Sequence, residues 1–387
     1  MLHFERDEFA ARKALILSDM AARGLDGLLM FQQESMFWLT GYDTFGFCFF
    51  QSLYLGADGQ LALLTRSADR RQAERTSIIA DIRVWTDRAD ADPAVDLRQM
   101  LASLGAADAS GRRRRIGVEY ESYGLVASNG RRLDAAFVDV ATLVDASGLV
   151  TRRRAVKSAA EIVYVRRAAE LCDAALLAGL DEIRPGADEG AVLARMHDAV
   201  FRGGGDYPAN EFIIGSGEDA LLCRYKSGRR VLSDVDQITL EFAGSFRHYH
   251  AAMMETVCVG RPSDRHRRYF AAADEALAAC AAELRPGRTA GDVFAAHARV
   301  FEAHGLGEHR LSACGYSLGA KFTPSWMDWP MFYKANPWVL EPGMVMFAHM
   351  ILMDSVSGTA MCLGRTYLVQ DHGAACLSGL EPALLIR

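Results

Sequence analysis

Two stretches of the chain read alike: AALLAGLDEIRPGADEGAVLARM, from Ala174 to Met196, and EALAACAAELRPGRTAGDVFAAHA, from Glu275 to Ala298. Each carries a helical run into Arg-Pro-Gly and then begins a second helix at an acidic position. Proline cannot continue a helix, and glycine accepts the left-handed conformation that ends one, so the tripeptide is a stop with a physical cause. The repeat predicts a duplicated half, two helix pairs each followed by strands. NEFIIGSG, QITLEFAGSF and HYHAAMMETVCVG follow the first pair; GMVMFAHMILMD and AMCLGRTYLVQ follow the second.

The chain ahead of this half alternates differently. ERDEFAARKALILSDMAARG has helical spacing and ends on Gly24, LDGLLMF reads as a buried strand, and SLYLGADGQLALLT reads as a hairpin turning at ADG. Helices and strands continue to alternate as far as VDVATLV. Such alternation predicts an α/β domain over 1–150, with a boundary between Leu149 and Lys157 and a second domain over 151–387. The second domain opens on a long amphipathic helix, and Ser158 with Glu161 three residues later forms a capping box.

Composition narrows the function classes. Of 387 residues, 50% are apolar and 24% charged, the profile of a globular protein with a sizeable core. The net charge is −6, and the short basic runs GRRRRIG (Gly111–Gly117) and TRRRAVKS (Thr151–Ser158) lack interleaved aromatics. They read as solvated surface, so no nucleic-acid partner is expected. Eight scattered cysteines show no C-x-x-C spacing, which suits a reducing compartment. The charged N-terminus lacks the apolar core of a signal peptide, and no run of about 18 apolar residues exists. No membrane partner is expected, and the cytoplasm is the expected location.

The order of elements, the Arg-Pro-Gly echo and LEPGMVMF (Leu340–Phe347) resemble the pita-bread family of creatinases, prolidases and Xaa-Pro aminopeptidases across nearly the whole chain. MFWLTGYD, RRAVKSAAEIVYVRRAA, GGDYPA, EFAGSFRHYH and GYSLG are more similar still to the ectoine hydrolase-like members. The resemblance implies an α/β N-terminal domain plus an α+β pita-bread C-terminal domain. It also implies a homodimer in which the N-terminal domain of one subunit helps close the other's site. SMFWLTGYDTFGFCFF (Ser35–Phe50) is the segment expected near the partner, being too aromatic to leave exposed.

In the peptidase members five side chains hold two metal ions. Carried onto this chain, those positions are Glu241, Ala252, Tyr316, His349 and Gly364. Two of the five can still ligate, and Ala252 and Gly364 have no donor side chain, so no metal and no other cofactor is expected. The metal-free relatives hydrolyse a C–N bond at an already electrophilic amidinium or guanidinium carbon of a zwitterion. Such chemistry needs a carboxylate, a proton carrier and a cation for the substrate carboxylate. The resemblance assigns Glu241 as base or nucleophile, His250 and His349 as catalytic proton carriers with His248 a further candidate, and Arg224 or Arg247 as the clamp. Arg224 stands where most relatives keep a histidine.

Spacing adds further expectations. His248 and His250 fall two apart and would share a strand face, with Tyr249 on the other. His349 sits among apolar residues, where a core role and a functional one are equally open. Trp326 and Trp329, in an aromatic stretch from Phe322 to Leu340, could stack on a flat cation. Asp206, Tyr207, His248 and Tyr316 are the remaining expected substrate contacts. The leading reading is a metal-independent hydrolase of ectoine-like or creatine-like zwitterions. Two others stay open: a catalytically inactive homologue that binds a ligand, and an Xaa-Pro peptidase.

Overall fold

The computed structural model describes residues 2–105, 113–224, 228 and 230–387. It divides into two units, Met1–Arg154 and Ala155–Arg387, four residues beyond the boundary expected at 150.

The first unit strings together α1 (Arg6–Ala22), β1 (Gly27–Met30), α2 (Gln33–Thr40), β2 (Ser52–Gly56), β3 (Leu61–Arg66), α3 (Ser67–Thr76), β4 (Asp81–Trp85), α4 (Pro93–Ser103), β5 (Arg114–Val118), α5 (Ala127–Phe137) and β6 (Ala141–Asp145); α6 (Gly148–Ala155) ends it. The strands form one sheet in the order β4-β3-β2-β1-β5-β6. Alternation along β1 divides the core: Leu28 and Met30 pack with α1 and α2, Leu29 and Phe31 with α4 and α5. The sheet is therefore covered on both faces, as an α/β layer requires.

Two stretches are more buried within the chain than the sequence reading had them. Met36, Phe37, Trp38, Leu39 and Tyr42 are buried within the unit's own core, so most of Ser35–Phe50 is not a surface segment. Only Phe45, Cys48 and Phe49 stand out into solvent. The second basic run is not all solvated surface either. Arg154 is buried with its charge acting on buried Glu119, and Lys157 is buried with Nζ donating to the Ala155 carbonyl (2.9 Å) and Ser317 Oγ (3.2 Å). Buried cations need such partners, and charge patterning along the chain does not reveal them. Gly111 and Arg112 of the first run lie outside the described residues.

The second unit realises the duplication. α7 (Ala159–Glu182) begins at a complete capping box between Ser158 and Glu161 and leads to α8 (Glu189–Arg202). α9 (Asp264–Glu283) leads in the same way to α10 (Ala290–Ala303). Gly186 and Gly287 take φ of +80° and +84° at the two stops, where any side chain would be strained. Each glycine donates to a strand-side carbonyl, Leu232 in one copy and Leu340 in the other.

β7 (Ile213–Ser216), β8 (Asp236–Phe246) and β9 (Tyr249–Val259) follow the first helix pair; β10 (Ala313–Ser317), β11 (Asp328–Tyr333), β12 (Val345–Asp354) and β13 (Thr359–Gln370) follow the second. They join in the order β11-β10-β12-β13-β9-β8-β7, with β14 (Gly373–Cys376) on β13 and β15 (Leu385–Ile386) on β9. One face of this sheet carries the helices. Met346, Ala348, Met350 and Leu352 of β12 pack with Ala276, Leu277, Val293 and Phe294 of α9 and α10. At Gly244 of β8 the backbone of α7 comes so close that an added Cβ would strike the Ala168 carbonyl. Helices thus seal one face, and the residues of alternate parity point to the other.

Among the described residues no helix is long and apolar enough to cross a membrane, and all eight cysteines are free thiols.

Candidate active site

Register alone assembles a row across the face away from the helices. Glu241 pairs with Met254 across β8–β9, Met254 with Gly364 across β9–β13, and Gly364 with His349 across β13–β12. Directly opposed residues share a face, and so do residues two apart on one strand. Phe347, two before His349, pairs with Tyr316 of β10, and Ala252, two before Met254, pairs with Ala243. Glu241, Ala252, Tyr316, His349 and Gly364 therefore all lie on the face away from the helices, though they come from five strands.

The row is polar at both ends and apolar between. Glu241 is buried, and burial pushes its carboxyl up to about 7 against the pull of the Arg224 guanidinium and the Tyr316 hydroxyl. The Tyr316 oxygen in turn accepts from Trp326 Nε1 at 2.9 Å. His349 lies 5.7 Å from the Tyr316 ring and 5.5 Å from Phe347, between centroids. Burial, aided by Arg224, lowers its imidazole to about 4, so it is neutral at pH 7, and its buried Nδ1 has no protein partner among the described residues. Arg224 is solvent-exposed, yet its charge acts on Glu241, Tyr316 and His349 alike. Two thiols, Cys223 and Cys362, also lie within electrostatic reach of Glu241.

A second group gathers at the hairpin tip. β8 and β9 join through a two-residue turn, Arg247 and His248, with φ of +50° and +66°. His248 therefore lies in the turn and not on a strand face shared with His250, contrary to the spacing. Two non-glycine residues hold this left-handed pair because the turn is tied down on all sides. His248 N–H donates to Asp206 Oδ2 (3.2 Å), Lys321 N–H donates to the His248 carbonyl (3.0 Å), and Arg247 Nη1 donates to the Tyr164 hydroxyl (2.9 Å). The His248 ring stacks on Phe322 at 4.2 Å.

His250 belongs to this group as well. Its Nε2 accepts from the Ala209 N–H at 2.9 Å and its Nδ1 faces the Gly319 carbonyl at 3.4 Å. Burial lowers it to about 3. A neutral ring with both nitrogens on backbone pins two loops together and has no free atom for proton transfer. Tyr207 is largely exposed, with its ring edge-on to Phe201 at 4.9 Å. It lines a cavity of about 670 Å³ together with Ala209, Phe212, His197, Thr323 and Pro324.

The expected site residues thus split. Glu241, Tyr316, His349, Trp326 and Arg224 come together; Asp206, Tyr207, Arg247, His248 and His250 form the tip. Trp326 links the two, bonded to Tyr316 and 6.4 Å from the His250 ring. Trp329 sits half-exposed on the edge strand β11. Phe347 was not singled out, although its spacing from His349 would have placed it on the same face.

The chain matches metallopeptidase family M24 over residues 163–371 and the creatinase/prolidase N-terminal domain over residues 12–156. It is 27% identical to an ectoine hydrolase of Halomonas elongata, over 100% of this chain and 99% of that one. It is 25% identical to an Xaa-Pro dipeptidase of Pyrococcus furiosus, over 60% of this chain and 65% of that one. A solved Xaa-Pro dipeptidase from Bacillus anthracis, 20% identical, has the same fold, with a TM-score of 0.84 over 98% of this chain and 100% of that one. The chain belongs to metallopeptidase family M24, a family of hydrolases, and carries the pita-bread fold behind a creatinase-type N-terminal domain.

The family's name implies metal ions, and the donor set here does not fit them. Among the described residues no three of His, Cys, Asp and Glu group as a metal site. Ala252 offers no donor. A Cβ at Gly364 would meet the Phe347 ring at 2.7 Å, so Phe347 fills the space a longer side chain would need. Glu241 is the only carboxylate of the row, and divalent ions take three or four protein ligands.

Proposed function

We propose, on the premise of that membership, that the chain is a metal-independent hydrolase of a C–N bond in a small zwitterion whose reacting carbon is an amidinium or guanidinium. The observation that carries the reading is Glu241, a buried carboxyl raised to about 7 and aligned with a tyrosine hydroxyl and a neutral imidazole. A group titrating near neutrality serves both halves of a hydrolysis. As carboxylate it takes a proton from water while the oxygen bonds to the electrophilic carbon and the C=N π pair moves onto nitrogen. As carboxylic acid it returns that proton to the leaving nitrogen while the C–N bond breaks, and as the carbonyl forms the adduct's hydroxyl gives its own proton to the regenerated carboxylate, which passes it to the released amine. The substrate's own positive charge supplies the activation that a metal would otherwise supply. His349, with one ring nitrogen protonated and the other free, is the second proton-handling group. Arg224 is the clamp for the substrate carboxylate, since a guanidinium binds a carboxylate in a planar fork. His250 is left out of the chemistry because both of its nitrogens are engaged.

The relative from Halomonas elongata is named for hydrolysing ectoine, so ectoine-like cyclic amidines are the first substrates to test and creatine-like guanidines the second. The test is a mass-spectrometric screen of both classes and of X-Pro dipeptides, with and without chelator, alongside elemental analysis. Chelator-resistant turnover of an amidine, with well below one metal equivalent per chain, is the expected result. Chelator-sensitive dipeptide cleavage, or two bound metal equivalents, would overturn the reading. Tight binding without turnover would make the protein a ligand-binding homologue. The protein is further proposed to work as a homodimer, with the exposed Phe45 and Phe49 as contact residues. A monomer by light scattering at micromolar concentration would count against that.

A further inference from the structure

The sequence offers Trp326 as a surface for a flat cation, yet Trp326 is 1% exposed and presents no open face. An open aromatic surface lies elsewhere, at the cavity of about 670 Å³ beside α8. Three rings, His197, Tyr207 and Phe212, line it, and Phe201 braces them. His197 lies flat on Phe212, with centroids 4.2 Å apart and planes 11° from parallel, and runs nearly parallel to Phe201 at 5.9 Å. Tyr207 stands edge-on to Phe201 and is 82% exposed at the rim. Its loop is fixed on both sides of it. Asp206 N–H donates to the Ser245 carbonyl at 2.9 Å, and Ala209 N–H donates to His250 Nε2 at 2.9 Å. A ligand meeting this ring bears little of the cost of ordering the loop.

The cavity is not part of the row. None of Glu241, Tyr316, His349 and Arg224 lines it. Phe212 packs on Phe242 at 5.9 Å, and Phe242 is two residues before Gly244, on the face that carries the helices. Ile213, the next residue, pairs with Glu241 and faces the other way. At β7 the rings of the cavity and the row of Glu241 are therefore on opposite sides of the sheet.

The lining selects a charge. Among the described residues it holds one carboxylate, Glu211, with the side-chain oxygens of Tyr207, Asn210 and Thr323, and it holds no lysine and no arginine. Burial lowers the His197 imidazole below its ordinary value, so it adds no positive charge at neutral pH. The faces of aromatic rings attract cations. An anion would find no counter-charge here and would meet the Glu211 carboxylate. Leu193, Pro208 and Pro324 make the rest of the lining apolar, and the volume is that of an ordinary small-molecule site. The row differs in having Arg224 within reach of a substrate carboxylate; the cavity has no such group.

We propose that this cavity is a second binding site, for a small organic cation that carries an apolar group and no carboxylate, of the quaternary ammonium or aryl amidinium class. The site stands apart from hydrolysis at Glu241 and does not depend on that reading.

The experiment titrates the full chain with benzyltrimethylammonium by ligand-observed NMR, with phenylmethanesulfonate as an anion of similar shape. The cation binds and the anion does not. Tyr207→Ala, a change at an exposed ring, weakens the cation about 2- to 5-fold, the scale of one cation–ring contact near solvent. Leu193→Trp fills the cavity and abolishes binding, with its melting temperature measured to show that it folds; should it not fold, Tyr207→Ala decides alone. Glu241→Gln leaves the affinity for the probe unchanged. No binding of the cation, equal binding of the anion, or undiminished affinity in Tyr207→Ala overturns the proposal. Loss of binding in Glu241→Gln overturns it too, because the probe then sits in the row. A protein that binds the probe as expected and hydrolyses nothing upholds the cavity and sinks only the reading of Glu241.

Discussion

The β8–β9 hairpin buries two glutamates, one on each face of the sheet, and the contrast between them separates structure from chemistry. Glu255 points toward the helices. Burial pushes it up to about 7, and the equally buried Arg365 opposes that with Nη1 2.6 Å from Oε1. Glu241 points away from the helices and is pushed to the same value, but the cation acting on it among the described residues stands at an exposed position, and the other group pulling it down is the Tyr316 hydroxyl. Glu255 has a fixed, dedicated partner, so its charge state is settled by the fold. Glu241 is left with an unbalanced choice between charged and neutral, which a cationic ligand would tip. Glu119 in the first unit repeats the structural pattern, raised to about 7 while accepting from Ser35 Oγ, Phe31 N–H and Gln32 N–H.

The largest effect should come from breaking the structural partner. Glu255→Ala leaves Arg365 buried without a counter-charge and should cost about 3–5 kcal/mol of stability, read by urea denaturation. Replacing both by leucine and methionine should recover most of it; a double variant as unstable as the single one would show that the pair is not the cause. Next in size is Glu241→Gln. On the proposed mechanism it lowers turnover by ~100-fold or more, the scale of a general base, while the melting temperature stays level or rises. A melting temperature that falls with turnover unchanged would make the two glutamates equivalent after all.

The pH dependence sharpens the contrast further. Catalysis needs Glu241 charged, so kcat/KM should rise with pH along a limb centred near 7, below which it drops about tenfold per unit. His349, lowered to about 4, should add no second limb near neutrality. A bound cation favours the carboxylate, so the kcat limb should lie lower than the kcat/KM limb. Stability runs the other way. A carboxyl raised in the folded state is favoured in its protonated form, so its contribution is complete below the unfolded value and is lost as pH rises through about 7. Wild type should therefore lose more stability than Glu241→Gln between pH 5 and 8, whereas Glu255 and Glu119 contribute equally to both. The smallest effect belongs to Arg224→Ala, which should raise KM about tenfold for a carboxylate-bearing substrate and leave the melting temperature unchanged. A fall in kcat without a rise in KM would move Arg224 from clamp to chemistry.

Much of this was legible in the chain because its cause is local. The Arg-Pro-Gly stops, the Ser158–Glu161 box and the hairpin at ADG depend on residues within a few positions of one another. They yielded the duplicated half and the division near residue 150. The missing donors at Ala252 and Gly364 were legible too, once the resemblance had named those positions, because a side chain without N or O cannot ligate wherever it lies. What spacing could not decide was how distant residues meet. The two-residue turn took His248 off the strand face, Ala209 and Gly319 claimed both nitrogens of His250, and Phe347 filled the space beside Gly364. Arg154 and Lys157 looked like surface cations and became buried ones. The alignment of Glu241, Met254, Gly364 and His349 is a matter of register within two hairpins and between β9 and β13, whose paired residues lie more than a hundred positions apart, and a slip of one residue would turn each side chain to the opposite face. Sequence determines which elements form, because propensity and periodicity act over one or two turns. Only the tertiary structure decides which of two identical carboxyls is locked to an arginine and which is left open, because burial and charge pairing are set by whatever the rest of the fold brings within a few ångströms.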